Sequence, residues 1–272
     1  MKIKPTNNNP IGIVDSGFGG LAILSAINKI LPYENIIYFG DTVHIPYGSK
    51  SKKTIIKYIE PIITFLMTYN IKLLVIACNT VSALALPTIQ QYITIPIIGV
   101  IQPGVQLALS KSKNNVIGVI CTETTLISQA YPNEIKLINN NTKVYQQSCP
   151  LLVPLIEEGW SNNKIIMNIV LKSYLKQLLL HNIDTLILGC THYLLIKNIL
   201  EIHVKKKIVI IDSAQATAKA TFMMLKKMQL MTTHTSTKGY THFFVSDNPN
   251  KFKKLGKKLF AKKIKYIKKI VL

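Results

Sequence analysis

The chain has 272 residues, 48% of them hydrophobic and 17% charged, which is enough to build a substantial core over two domains and excludes a disordered chain. It carries 33 basic residues against 12 acidic ones, a net charge of +21, and every basic residue is lysine. Its four cysteines are spread as Cys78, Cys121, Cys149 and Cys190, with no C-x-x-C pair, so reduced thiols are expected rather than a zinc ribbon or a disulfide framework.

In chain order, the N-terminus bears lysines but no apolar signal core. Residues 11–14 read as a first strand, closed by Asp15-Ser16-Gly17-Phe18-Gly19-Gly20, and apolar spacing predicts a helix over 21–31. A strand over 36–39 leads into a loop, 40–49, carrying Asp41, Pro46, Tyr47 and Gly48, and a long helix follows over 52–69. The most apolar region, 55–86, is interrupted by Lys57, Glu60, Pro61, Lys72 and Asn79, so no membrane span is expected. The run Leu73-Leu74-Val75-Ile76-Ala77 then delivers Cys78-Asn79-Thr80, and a strand over 97–100 follows.

At Gln102-Pro103-Gly104 the chain is expected to cross into a second domain. There the pattern predicts a helix through Leu109, a strand over 116–120, a helix over 126–131, a strand near Val144, a polar-flanked segment over 151–160 and a helix over 163–181. A second apolar run, Thr185-Leu186-Ile187-Leu188-Gly189, delivers Cys190-Thr191-His192, and a strand over 208–211 precedes a crossing back at Asp212-Ser213. A helix over 214–229 and the final segments rejoin the first domain. In the tail, Phe252, Leu255 and Leu259 predict a helix, and Ile264 to Ile270 a terminal edge strand with a solvated basic face. Alternating strands and helices give an α/β protein with mainly parallel sheets. The expected division is residues 1–102 plus 213–272 for one domain and 103–212 for the other.

Chemistry concentrates where strands end. The two cysteine stretches are versions of one another: an unbroken apolar run, a small residue, Cys, then hydroxyl or amide side chains opening a helix. Such runs suit strands buried on both faces, and ligands bind beyond the carboxyl ends of parallel strands. One cysteine alone reads as a small buried hydrophobe. Two in equivalent positions predict a sulfur on each side of one small acid: a thiolate removes an α-proton and a thiol on the opposite face replaces it. Asn79, Thr80 and Thr191 are placed to stabilise the charge that develops on a carboxylate, and His192 to exchange a proton with Cys190. The Asp15–Gly20 turn lacks the third spaced glycine of a dinucleotide site and the Lys-Ser/Thr of a P-loop. It suits an amino acid's ammonium and carboxylate, or a simple helix cap. Cys149, before a proline and without flanking donors, reads as structural.

Taken together, Asp15-Ser16-Gly17-x-Gly19-Gly20, Pro46-Tyr47-Gly48, Ala77-Cys78-Asn79-Thr80, Thr122-x-x-Thr125, Cys149-Pro150-Leu151-x-Val153-Pro154 and Gly189-Cys190-Thr191-His192-Tyr193 resemble the glutamate racemases, in that family's order and over nearly the whole chain. The resemblance implies two α/β domains related by a pseudo-twofold axis, with the active site between them. It also implies cofactor-independent interconversion of L- and D-glutamate, the D-form supplying peptidoglycan. By the same resemblance, Cys78 and Cys190 match the acid/base thiols, Asp15 and His192 the groups assisting them, and Glu157 an acid near the second thiol. Ser16, Tyr47, Gly48, Asn79, Thr80, Thr122, Thr125 and Thr191 match substrate contacts, with Asp15 and His192 beside them. Glu157 rests on the resemblance alone, since with Glu158 beside it a solvated acidic loop reads equally well.

Four positions depart from the family pattern: Val81 (commonly Ala), Leu194 (Pro), His44 (Arg) and Cys121 (Gly). The expected partners are glutamate and a second copy of the chain, in a cytoplasmic, cofactor-free enzyme. Aspartate racemisation on the same scheme is the near alternative. A decayed, basic DNA-binding protein is the distant one, opposed by the intact thiols. Lysine with abundant Ile and Asn is what drift in an A/T-rich genome produces, and the absence of arginine weakens nucleic-acid recognition.

Overall fold

The computed structural model describes residues 5–204, 207–257, 259–260 and 264–272. The first four residues of the lysine-bearing N-terminus, and Lys258, Lys262 and Lys263 of the basic tail, lie outside the described residues. The strands are β1 (Ile11–Asp15), β2 (Ile36–Gly40), β3 (Leu73–Ile76), β4 (Ile97–Gly99), β5 (Val116–Cys121), β6 (Lys143–Ser148), β7 (Thr185–Gly189), β8 (Val209–Ile211), β9 (Thr241–Val245) and β10 (Tyr266–Lys269). They form a six-stranded sheet in the order β10-β9-β2-β1-β3-β4 and a four-stranded sheet in the order β6-β5-β7-β8. Every pairing is parallel.

Parallel pairing explains the apolar runs. In β3, Leu73 and Val75 join the core under the helices Leu21–Ile30 and Ser213–Lys227, while Leu74 and Ile76 face the opposite core under the helix Lys52–Met67. Both faces are covered, so no position along the strand tolerates a polar side chain.

The second lobe repeats the first. The order β2-β1-β3-β4 recurs as β6-β5-β7-β8, and the register aligns Val14 and Ile76 with Ile120 and Leu188. The repetition extends to close packing. A Cβ on Gly12 would lie 2.5 Å from Ile71 Cδ1, and one on Gly118 would lie 2.6 Å from Ile183 Cδ1. In both lobes the first strand needs a glycine where the chain entering its neighbour folds over it. The two thiol strands β3 and β7 occupy equivalent places.

Several elements differ from expectation. β9 was not anticipated, although Phe243, Phe244 and Val245 are buried and the strand lies between β2 and β10. Its short run follows a long polar connection, so periodicity carries little signal there. The helix expected over 126–131 is two helices, Glu123–Ile127 and Ala130–Ile138, broken where Gln129 adopts φ 54°. The segment after Cys190 starts as a 3₁₀ helix, Thr191–Ile196, before the α-helix Lys197–His203. In the tail the helix stops at Gly256, short of Leu259, while β10 is the expected edge strand.

One buried ion pair ties the outer end of the first lobe together. Lys72 Nζ lies 2.5 Å from Glu34 Oε2 with both side chains buried, and it also donates to the Asn7 carbonyl at 2.5 Å. Glu34 Oε1 accepts from the Thr232 N–H at 2.8 Å. Removing one partner strands a buried charge, which costs about 3–5 kcal/mol. Lys72→Met should therefore lower stability by about that amount in urea unfolding, and adding Glu34→Gln should recover part of the loss.

Candidate active site

The carboxyl ends of the two sheets face each other across one cavity of about 140 Å³, roughly ten times the space one water needs. Each wall comes from the residues that follow a strand. Ser16 follows β1, Tyr47 and Gly48 lie in the loop after β2, and Cys78, Asn79 and Thr80 follow β3. From the other lobe come Thr122 after β5, Cys149 and Pro150 after β6, Glu157 on the helix Leu152–Glu157, and Cys190, Thr191 and His192 after β7. Both thiols thus enter the wall of the same cavity from equivalent strands, and each opens a helical segment whose first N–H groups lack intrahelical acceptors.

The two sulfurs have unlike neighbours. Cys190 Sγ lies 3.7 Å from His192 Nδ1, and His192 Nε2 lies 3.2 Å from Glu157 Oε1. Burial disfavours a charged His192, but the contacts with Cys190 and Glu157 outweigh it and raise the imidazole from 6.5 to about 10. The Phe18 ring stands edge-on to this imidazole, with centroids 4.8 Å apart. Cys78 has different surroundings. Burial, reinforced by the nearby Asp15 carboxyl, raises it to about 12, against hydrogen bonds from Ser16 and the Val81 N–H that favour the thiolate. Asp15 is itself raised by burial, despite N–H groups of Gly20, Gly17 and Ser16 and the field of His192. The arrangement keeps a proton on Cys78 and places beside Cys190 an imidazole that readily holds one.

Hydroxyls line the seam between the lobes. Thr80 Oγ1 lies 3.1 Å from Thr122 Oγ1 and 3.3 Å from Thr125 Oγ1, and the latter two are 2.9 Å apart. Asn79 Nδ2 donates to the Tyr131 hydroxyl at 2.7 Å, while Asn79 Oδ1 is buried without a partner. Two glycines let the lobes close. A Cβ on Gly19 would fall 2.3 Å from Thr191 Oγ1, and one on Gly48 would fall 2.6 Å from Thr122 Cγ2. Thr124 Oγ1 also donates to the Gly48 carbonyl at 2.8 Å.

Of the residues singled out from sequence, Ser16, Tyr47, Gly48, Cys78, Asn79, Thr80, Thr122, Glu157, Cys190, Thr191 and His192 line the cavity. Asp15 and Thr125 do not; both are fully buried behind it, so Asp15 acts on the cavity through Cys78 and His192. Cys149, read as structural, is in the cavity wall. Its local sequence lacks donors, and the strand order rather than the sequence brings it there. Cys121 packs beneath Gly189, out of the wall, and Val81 is buried behind Cys78. Leu194 packs into the cores of both lobes. His44 pairs with the buried Asp41 at 2.8 Å and stacks on Tyr58.

Sequence reasoning missed Tyr131, Phe18 and Asp41. Asp41 accepts from the Tyr47 hydroxyl at 2.5 Å and from Ser246 Oγ at 2.7 Å, anchoring the loop that walls the cavity. Only the burial of so short a polar side chain could have flagged it. Among the described residues no group of three or more His, Cys, Asp or Glu side chains is arranged to hold a metal ion, and no helix is long and apolar enough to cross a membrane.

Comparison with known proteins agrees with this geometry. The sequence profile described as Asp/Glu/Hydantoin racemase matches residues 11–221. A protein named glutamate racemase from Geobacter metallireducens is 44% identical over 254 residues, 93% of each chain. The crystal structure of glutamate racemase from Francisella tularensis in complex with D-glutamate superposes with a TM-score of 0.90 at 38% identity, covering 97% of this chain and 98% of that one. A glutamate racemase isoform from Bacillus anthracis gives a TM-score of 0.93 at 32% identity, over 98% of both chains.

The raised His192 fixes the sign of a pH effect. Its folded-state value lies above the ordinary 6.5, so the stability from its positive charge is fully present below about pH 6.5 and lost as pH rises through about 10. His192→Asn should therefore be most destabilised relative to the native chain near pH 6. The gap in urea midpoints should narrow steadily between about pH 6.5 and about 10.

Proposed function

The chain belongs to the Asp/Glu/hydantoin racemase family and is an amino-acid racemase, and from that premise we propose that it interconverts L- and D-glutamate using Cys78 and Cys190 as the acid and the base. The observation that carries this is the pair of thiols in the wall of one cavity, delivered by equivalent strands of a repeated lobe. The choice of glutamate is supported by whole-length similarity to proteins named glutamate racemase, one of them in complex with D-glutamate.

In one direction of the reaction Cys190 acts as the base, with the His192 imidazole 3.7 Å from its sulfur, and Cys78, whose proton burial retains, acts as the acid. Glutamate lies between them with its carboxylate against the hydroxyls of Thr80 and Thr122 and the first N–H groups after each cysteine. Cys190 removes the α-hydrogen on its side, and the C–H electron pair passes into the carboxylate as an enediolate. These preorganised donors stabilise that charge. The Cys78 thiol then donates its proton to the opposite face of the same carbon. The product is the other enantiomer, with Cys190 now a thiol and Cys78 a thiolate, so the same steps run in reverse on the other enantiomer. Asp15 tunes Cys78, and Glu157 orients His192 through the 3.2 Å contact.

D-Glutamate from this reaction would feed peptidoglycan synthesis in the cytoplasm. We propose a homodimer as the working assembly. Cys78→Ala and Cys190→Ala should each lower racemisation by at least about 10³-fold, since each removes a general acid–base group. In deuterium oxide, Cys78→Ala retains the Cys190 base, so deuterium should enter the α-position of one enantiomer only, read by NMR. Racemisation surviving either change, or exchange into both enantiomers, would overturn the two-thiol assignment.

A further inference from the structure

One side chain touches both strand ends that carry the thiols. Tyr131, in the helix Ala130–Ile138 of the second lobe, is fully buried. Its hydroxyl accepts a hydrogen bond of 2.7 Å from Asn79 Nδ2, on the residue after Cys78. Its ring edge lies against Gly189, the residue before Cys190: a Cβ built there would sit 3.2 Å from Tyr131 Cε2 and 2.8 Å from Cys121 Cβ. The face of Gly189 that would carry a side chain is thus closed by Cys121, Tyr131 and the Ile120 carbonyl oxygen, 2.9 Å from the same position. The Asn79 contact crosses between lobes, from the end of β3 to a helix of the lobe that contains β7.

The amide of Asn79 has a second consequence. It lines the cavity, its nitrogen is committed to Tyr131, and its Oδ1 is buried without a partner. An unsatisfied buried carbonyl oxygen is costly unless a ligand supplies the missing donor. In a cavity built for an amino acid, the donor of matching chemistry is the ammonium group.

We infer that Tyr131 is a positioning residue of the reaction. It sets the separation of the two thiol-bearing strand ends and turns the Asn79 amide so that its free oxygen meets the substrate ammonium. This rests on the reading of the cavity as an amino-acid racemase site. The hydroxyl serves substrate binding, and the ring serves the spacing of the thiols. The two parts of one side chain therefore have separable kinetic effects.

The test uses the purified full chain with L- and D-glutamate. Tyr131→Phe keeps the ring and removes the bond to Asn79, so KM should rise about tenfold for both enantiomers, the scale of one lost hydrogen bond near its upper range. kcat should stay within about threefold. Tyr131→Phe combined with Asn79→Ala should bind no more weakly than Asn79→Ala alone, because both changes cut the same link. Gly189→Ala, whose methyl meets Cys121, the Ile120 carbonyl and the Tyr131 ring and so shifts the strand end that carries Cys190, should show the opposite split: kcat falls about 10²-fold, the scale of a misplacement of about 1 Å, with KM little changed. Thermal midpoints without ligand establish that each variant is folded. An unchanged KM in folded Tyr131→Phe, additive losses in the double variant, or equal kcat and KM effects in the two single variants would overturn the inference while leaving the racemase reading intact. A native chain inert towards both enantiomers would overturn both.

Discussion

The structure depends on two like groups being held in unlike electrostatic surroundings across one small space. A racemase of this kind needs one sulfur with a proton and one without, and two identical thiols in identical pockets would not provide that. Here burial and a buried carboxyl, Asp15, disfavour the anion of Cys78, while the neighbour of Cys190 is an imidazole backed by Glu157. The backbone supplying these groups is duplicated; the side chains that differentiate them are not. At the ends of β1 and β5, the register aligns Asp15 with Cys121, so the carboxyl that tunes one thiol has no counterpart behind the other.

Duplication also explains why the lobes need so little sequence to meet. Gly19 and Gly48 are the positions where loops of the first lobe approach Thr191 and Thr122 of the second closely enough that a methyl group would collide. Beside the cavity the seam is completed by short hydroxyl side chains, Thr80, Thr122 and Thr125, and away from it by apolar packing such as that of Leu194. These three hydroxyls hydrogen-bond to one another.

Much of this was legible before any coordinates. The doubled apolar run ending in cysteine marked β3 and β7 as equivalent strands, each covered on both faces, and the strand ends located the chemistry. The cavity-lining residues near in sequence to the thiols followed from that. What escaped was set by topology or by single buried polar atoms. β9 is a short run whose place between β2 and β10 is fixed by long-range pairing. Cys149 reaches the cavity wall because β6 lies beside β5, and no local pattern reports that. Tyr131 resembles an ordinary apolar helix position until its hydroxyl is seen against Asn79. The lysines, 33 in the sequence, are conspicuous, but Lys72 is a buried structural cation and, among the described residues, no lysine lines the cavity.

The claim most open to direct measurement is that the two sulfurs act on opposite faces of one glutamate carbon without help from an added cofactor. Circular dichroism of the purified chain, incubated with L-glutamate and in parallel with L-aspartate, without pyridoxal phosphate or added metal, reads this in one experiment. The account predicts that the glutamate signal decays to zero as the racemic mixture forms, with aspartate nearly unchanged. A glutamate signal that persists, or that decays only when pyridoxal phosphate is supplied, would contradict it.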